Sequence, residues 1–94
     1  VDLREEPERR RDGVIPGSIH APYPDLGSSV KSGGLMNAMV NETGKSLLLY
    51  CAYGERSALA LKFLSECGIE NACHLGGGID AWINAGLPLE KPLL

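Results

Sequence analysis

The run Leu47-Leu48-Leu49-Tyr50 ends at a single cysteine, Cys51, and a short loop containing Gly54 leads from it into an apolar helix. Four apolar residues in succession predict a short strand buried on both faces, as parallel sheets require. The helix is predicted from Ala58 to Cys67. Its apolar positions are Ala58, Leu59, Ala60, Leu61, Phe63, Leu64 and Cys67, and its polar stripe runs through Glu55, Lys62 and Glu66. Gly68 supplies a C-terminal stop. Cys51 therefore falls where a strand gives way to a helix, beside the amides that a first helical turn leaves unpaired. A sulfur anion is favoured there by the helix dipole.

The loop strengthens a chemical reading of Cys51 over that of a small buried hydrophobe. The amides of Ala52, Tyr53, Gly54, Glu55 and Arg56 follow the sulfur directly and are expected to curl around it as a nest, with Gly54 providing the backbone freedom. Arg56 closes the loop with a fork of donors suited to an anion on Cys51. Glu55 has two readings. It either opposes an anionic substrate or points outward, where an acid favours the helix start.

Composition narrows the function classes. Ninety-four residues, 44% apolar and 22% charged, make one soluble globular domain with a single core. A net charge of −3 argues against non-specific nucleic-acid binding, which needs a basic face. No apolar run approaches a membrane span, and no signal peptide is evident. Three cysteines without a Cys-x-x-Cys spacing predict neither a disulfide framework nor a zinc site. Cys67 and Cys73 are read as core filler, and reducing cytosol as the compartment. The start at Val1, in what reads as mid-strand, suggests an excerpt of a longer chain.

Elsewhere, Val1 to Arg4 alternates like the end of a strand, and Glu5 to Arg11 reads as a charged helix that Pro7 opens, with Arg9 to Arg11 on a solvated face. Gly13 to Ser18 forms a turn, and Ser18 to Pro22 a short strand. His20 carries no sign of lying beside Cys51. Asp25 to Gly34 reads as a flexible lead-in to an apolar helical stretch from Leu35 to Val40. Ala72 to Leu75 is the next strand. Gly76-Gly77-Gly78 lacks the lysine and spacing of a phosphate loop and is expected to turn tightly against another loop. A closing helix runs from about Ile79 to Ala85 with Trp82 as anchor and Gly86 as cap. Strands alternating with helices give an α/β domain around a parallel sheet, whose ligand site lies at the carboxyl ends of the strands. Cys51 and the triglycine turn share that edge.

Four stretches, Val1-Asp2-Leu3-Arg4, Gly13 to Ser18, Tyr50 to Ser57, and Leu75 through Trp82 to Pro88, together resemble the rhodanese family. The resemblance implies a three-layer domain over residues 1–94, with a central parallel sheet flanked by helices, and a first strand and helix missing ahead of Val1. It also implies a sulfurtransferase. Cys51 would carry a persulfide between a donor such as thiosulfate or a persulfide and a cyanide or thiol acceptor, a protein thiol included. Ala52, Tyr53, Gly54, Glu55, Arg56 and Ser57 would bind the substrate. No metal or organic cofactor, nucleic acid or membrane partner is implied. Val14 stands where the family usually has histidine, a position read as structural. Two alternatives are a sulfur-relay or interaction module of a larger protein and, less favoured, a cysteine-dependent phosphatase. The phosphatase motif has one residue more than the four that separate Cys51 from Arg56 here.

Overall fold

The computed structural model describes residues 1–31, 34–44 and 46–92. Helix α1 spans Glu6–Asp12, a 3-10 turn Tyr23–Asp25, α2 Leu26–Val30 and α3 Leu35–Thr43. Strand β1 spans Leu47–Leu49, α4 Glu55–Glu66, β2 Ala72–His74 and α5 Gly78–Asn84. The two strands are parallel, pairing Leu47 with Ala72, Leu48 with Cys73 and Leu49 with His74. The α/β class is as expected.

The N-terminal segment extends this sheet on the other side of β1. Asp2 forms parallel bridges to Tyr50 on one flank and His20 on the other. Its ladder includes Leu3 N to Tyr50 O at 2.9 Å and Ala21 N to Asp2 O at 2.9 Å. Four parallel segments therefore lie side by side, with Cys51 just beyond the end of β1. Leu3, Leu49, Ala60, Leu64 and Met36 are fully buried and form the centre of the core, which Ala21, Leu26, Leu47 and Cys51 complete. Fully burying a side chain of leucine size contributes roughly 1.5–3 kcal/mol.

The strand before Cys51 is buried on one face and, on the other, only at its Tyr50 end. Leu47 and Leu49 are inside, but Leu48 is 44% exposed. Cys73, its partner across the register, is exposed as well, and so is Cys67 just past the end of α4. Neither cysteine is core filler. Tyr50, on the same face as Leu48, is buried under the Arg4 guanidinium, whereas Leu48 and Cys73 lie outside that cover, and Cys67 lies past the end of α4. Leu59, placed on the apolar face of α4 by its sequence, is likewise exposed, because that helix buries only the narrower stripe of Ser57, Ala60 and Leu64.

Part of the lead-in expected to be flexible is helical. Residues Leu26–Val30 form α2, with Leu26 and Ser29 buried. Ser32 and Gly33 of that stretch lie outside the described residues. The charged helix is also less solvated than its composition suggests. Arg9 turns inward, its Nε 3.2 Å from Asp2 Oδ2, while Arg10 and Arg11 remain exposed.

Asp2 and Arg4 are both fully buried, which demands complete pairing. Arg4 Nε and Nη2 donate to the two Asp2 carboxylate oxygens at 3.0 and 2.9 Å, and Nη2 donates to Gly13 O at 2.7 Å. The guanidinium lies over the Tyr50 ring, 5.5 Å from its centroid. Tyr50 Oη in turn pairs with Ser18 Oγ at 2.9 Å and accepts from Ile15 N at 3.3 Å. This network binds the start of α1 and the proline-glycine turn to the strand that ends at Cys51.

Candidate active site

Cys51 is 1% exposed, at the junction of β1 and the loop. Its sulfur accepts from Gly54 N at 3.1 Å and Ser57 N at 3.4 Å, and Ser57 Oγ lies 3.6 Å away. Burial pushes the thiol up. The amide and hydroxyl of Ser57, then the amides of Gly54 and Tyr53, outweigh that effect and hold it below its ordinary value. The nest is therefore built around Gly54 and Ser57 in the first turn of α4, with Tyr53 contributing.

Two features of the backbone turn the amides inward. Gly54 caps α4 with φ 108°, a left-handed conformation that a side chain would disfavour. The carbonyls of Cys51 and Ala52 are drawn the other way by the start of α5, accepting from Ile79 N at 2.9 Å and Asp80 N at 3.1 Å. In a planar trans peptide the N–H points opposite to the C=O, so fixing Ala52 O outward aims Tyr53 N–H back at the sulfur. The triglycine turn makes this approach feasible. A Cβ on Gly78 would fall 2.5 Å from Ala52 O and 2.6 Å from Cys51 O. The turn thus packs tightly against the cysteine loop, as its sequence suggested. Trp82 is not the sole anchor of α5. Ile79 is its buried apolar residue, and Trp82 Nε1 instead donates to Pro88 O at 2.7 Å.

The other predicted site residues are placed unevenly. Ala52 is nearly buried, Tyr53 is 64% exposed, and Glu55 lies exposed in the first turn of α4. Ser57 is fully buried against the sulfur. Arg56 is engaged by α1. Its Nη1 and Nη2 donate to the two Glu8 carboxylate oxygens at 2.8 and 2.7 Å. Glu8 is held down at about 2 by the Arg56 hydrogen bonds, against burial and with help from the Glu5 amide. The Arg56 guanidinium is raised mainly by Glu8, with a smaller contribution from Cys51. Its fork, expected to face an anion on the sulfur, is thus already closed on a carboxylate.

Two residues escaped the sequence reading. Glu8 is one, and His74 is the other, with Nδ1 3.0 Å from Ser57 Oγ. The signal for His74 was the alternation of β2, which puts it in register with Leu49 two residues before Cys51. His20 is committed elsewhere, with Nε2 2.7 Å from Arg4 O. An open depression of about 230 Å³ adjoins the loop through Ala52 and Tyr53, and Arg11, Asp12, Ile79, Asp80 and Ile83 complete its wall. Among the described residues no group of three His, Cys, Asp or Glu side chains is placed to hold a metal ion. None of the described helices is long and apolar enough to cross a membrane.

A parallel sheet that presents one buried cysteine to loop amides at its carboxyl edge defines an α/β domain arranged for cysteine chemistry. The chain matches the rhodanese-like domain over residues 1–85 and belongs to that family, a family of sulfurtransferases. It is 34% identical to an uncharacterized protein of Synechocystis, over 88% of this chain and 50% of that protein. It is 31% identical to a sulfurtransferase of Allochromatium vinosum, over 98% of this chain and 78% of that one. A solved structure from Rhodopseudomonas palustris, described as a protein of unknown function and possible tyrosine phosphatase, is similar with a TM-score of 0.84. The identity there is 36%, covering 95% of this chain and 67% of the other. The chain spans half the length of the Synechocystis relative.

Proposed function

We propose that the chain carries sulfane sulfur from thiosulfate or a persulfide to cyanide or a thiol, through a persulfide on Cys51. The observation that supports this most is the Cys51 sulfur, which accepts from the Gly54 and Ser57 amides at 3.1 and 3.4 Å. In the first step the thiolate attacks the outer sulfur of the donor. A new S–S bond forms, the donor's S–S bond breaks, and sulfite or a thiolate departs with the bonding pair. In the second step the acceptor attacks the outer sulfur, and Cys51 leaves as thiolate. The sulfur-bearing group is anionic before and after each step. Fixed amide dipoles therefore serve both resting states without reorganising, and removing one such donor costs on the order of 3 kcal/mol in comparable sites.

The Arg56–Glu8 pair weighs against a phosphatase. That chemistry needs the loop arginine to grip a phosphoryl group, and here both terminal nitrogens of the guanidinium are on a carboxylate. A sulfur relay loaded only by a protein partner uses the same Cys51 chemistry. Turnover of thiosulfate and cyanide by this chain separates the two. Cys51→Ser should abolish transfer, and mass spectrometry after thiosulfate treatment should find one added sulfur atom on the peptide that contains Cys51. Persistent transfer by Cys51→Ser would end the proposal.

A further inference from the structure

We propose that His74 is a positioning residue that directs the Ser57 hydroxyl proton onto the Cys51 sulfur. This deepens the proposed function and rests on Cys51 being the reacting sulfur. Among the described residues Ser57 Oγ has three polar neighbours besides its own backbone: Gly54 O at 3.1 Å, Cys51 Sγ at 3.6 Å and His74 Nδ1 at 3.0 Å. Ser57 is fully buried, so the hydroxyl must choose among these groups. It has one proton to give and lone pairs to receive with.

Each neighbour asks for something different. Gly54 O only accepts, but it already receives Ala58 N at 3.0 Å and does not depend on Ser57. A Cys51 thiol donates to Ser57 Oγ, whereas a Cys51 thiolate only accepts. His74 Nδ1 is either a donor or an acceptor, according to where the ring carries its proton. If Nδ1 holds a lone pair, it competes with the thiolate for the single Ser57 proton. If Nδ1 carries hydrogen, it fills a lone pair on Ser57 Oγ and leaves that proton free for the sulfur. The thiolate therefore selects the Nδ1–H form of His74, and the chain of donors runs from His74 through Ser57 to Cys51. The elements against the ring add little competing charge. Strand β1 pairs Leu49 with His74, and the first turn of α4 offers an exposed Glu55 and an Arg56 already on Glu8.

The test reads the Cys51 thiolate directly, whether or not the chain transfers sulfur. Iodoacetamide alkylation is followed against pH in the full chain, with Cys67→Ala and Cys73→Ala removing the exposed thiols. His74→Phe keeps a ring without a donor, and His74→Asn keeps an N–H near the place of Nδ1. Both Ser57→Ala and His74→Phe should raise the inflection by about one pH unit, or about tenfold slower alkylation below it, the size of one hydrogen bond to a charged group. The double variant should go no higher, and His74→Asn should stay near the parent. An unmoved inflection in His74→Phe, additive shifts in the double variant, or an Asn variant no better than Phe would overturn the proposal. Should the Phe variant not fold, ¹⁵N spectra of the parent decide. Hydrogen on Nδ1 above the Cys51 inflection supports the proposal, and a bare Nδ1 there overturns it. Sulfur transfer that fails while these inflections behave as stated would sink the proposed function and leave the His74 assignment standing.

Discussion

The pair between Glu8 and Arg56 fastens α1 to the first turn of the helix that follows Cys51, and its removal should be measurable as stability. Both carboxylate oxygens accept, at 2.8 and 2.7 Å, and Glu8 Oε1 also accepts from Glu5 N at 3.0 Å. A carboxyl lowered from 4.5 to about 2 corresponds to ~3–4 kcal/mol at ~1.4 kcal/mol per pH unit, an upper bound. The Glu8 side chain is 21% and that of Arg56 30% exposed, and exposed pairs contribute only ~0–1 kcal/mol. Glu8→Gln also retains an oxygen for the Glu5 amide. The expected loss at pH 7 is therefore ~1–2 kcal/mol, or roughly 4–16 °C in Tm for a domain of this size. The native carboxyl is depressed, so its stabilisation is complete above the unfolded value of 4.5 and is lost as pH falls through about 2. Urea melts of the parent and Glu8→Gln should differ fully at pH 7 and 6, and the gap should shrink between pH 4.5 and 2. Coincident melts at pH 7, or a gap that stays constant from pH 5 down to pH 3, would refute the reasoning.

Four further outcomes follow from packing and exposure. Cys67→Ala and Cys73→Ala, both at exposed positions, should change stability by no more than about 0.5 kcal/mol and leave sulfur transfer intact in a thiosulfate–cyanide assay. Gly78→Ala should lower Tm and, even at temperatures where the variant is folded, reduce transfer in the same assay, since its Cβ would strike the carbonyls of Cys51 and Ala52 and push the loop off the sulfur. Asp2→Asn should cost about 3–5 kcal/mol in urea melts, because it leaves the buried Arg4 guanidinium without its counter-charge. Glu55→Gln should raise kcat/KM for thiosulfate by no more than about threefold, as an exposed carboxylate ~7 Å from a bound anion is worth ~0.6 kcal/mol in water. A larger gain would mean that Glu55 faces a dry site.

What the sequence made legible was local. Strand, cysteine, glycine loop and helix are consecutive, so the apolar run, Gly54 and the periodicity of α4 locate the nest. Of the amides expected from Ala52 to Arg56, however, only those of Tyr53 and Gly54 serve it, joined by Ser57, and the contacts of α5 that turn them inward were not visible. The triglycine turn was also readable as a close approach to another loop, although of the three only a Cβ on Gly78 would strike that loop, and one on Gly76 would meet open space. The partners that finish the site were not. Glu8 lies 48 positions from Arg56 and His74 17 from Ser57, and nothing in either neighbourhood marks the pairing. Arg56 looked available because a sequence does not show what already occupies a guanidinium. Leu48 and Cys73 misled for a related reason. An apolar residue in a strand reads as buried, but burial depends on what covers that position, and Leu48 and Cys73 pair outside the cover that Arg4 gives to Tyr50 on the same face.

The occupation of Arg56 changes which forces hold charge at Cys51. Had its fork faced the sulfur, one full positive charge would dominate, and salt would weaken it wherever water reached the guanidinium. With Arg56 and Glu8 paired, the charge of the loop arginine is largely cancelled, and the sulfur is held by the Ser57, Gly54 and Tyr53 amides and one hydroxyl. These donors are backbone groups fixed by α4 and by the carbonyl contacts to α5, and the sulfur they face is buried. Dipoles so placed act at short range in a medium far less polarisable than water, which is why they outweigh the burial that by itself would push the thiol up. A short-range cradle of this kind stabilises charge on one atom and offers little to a second anionic group several ångströms away. If Cys51 takes sulfur as proposed, a persulfide, whose remaining charge sits farther from the transferred sulfur than the sulfonate of thiosulfate does, should be the better donor. The measurement that decides is kcat/KM for glutathione persulfide against thiosulfate. On that reading Glu8→Gln, by freeing Arg56, should raise thiosulfate use relative to the persulfide, and an unchanged ratio would refute it.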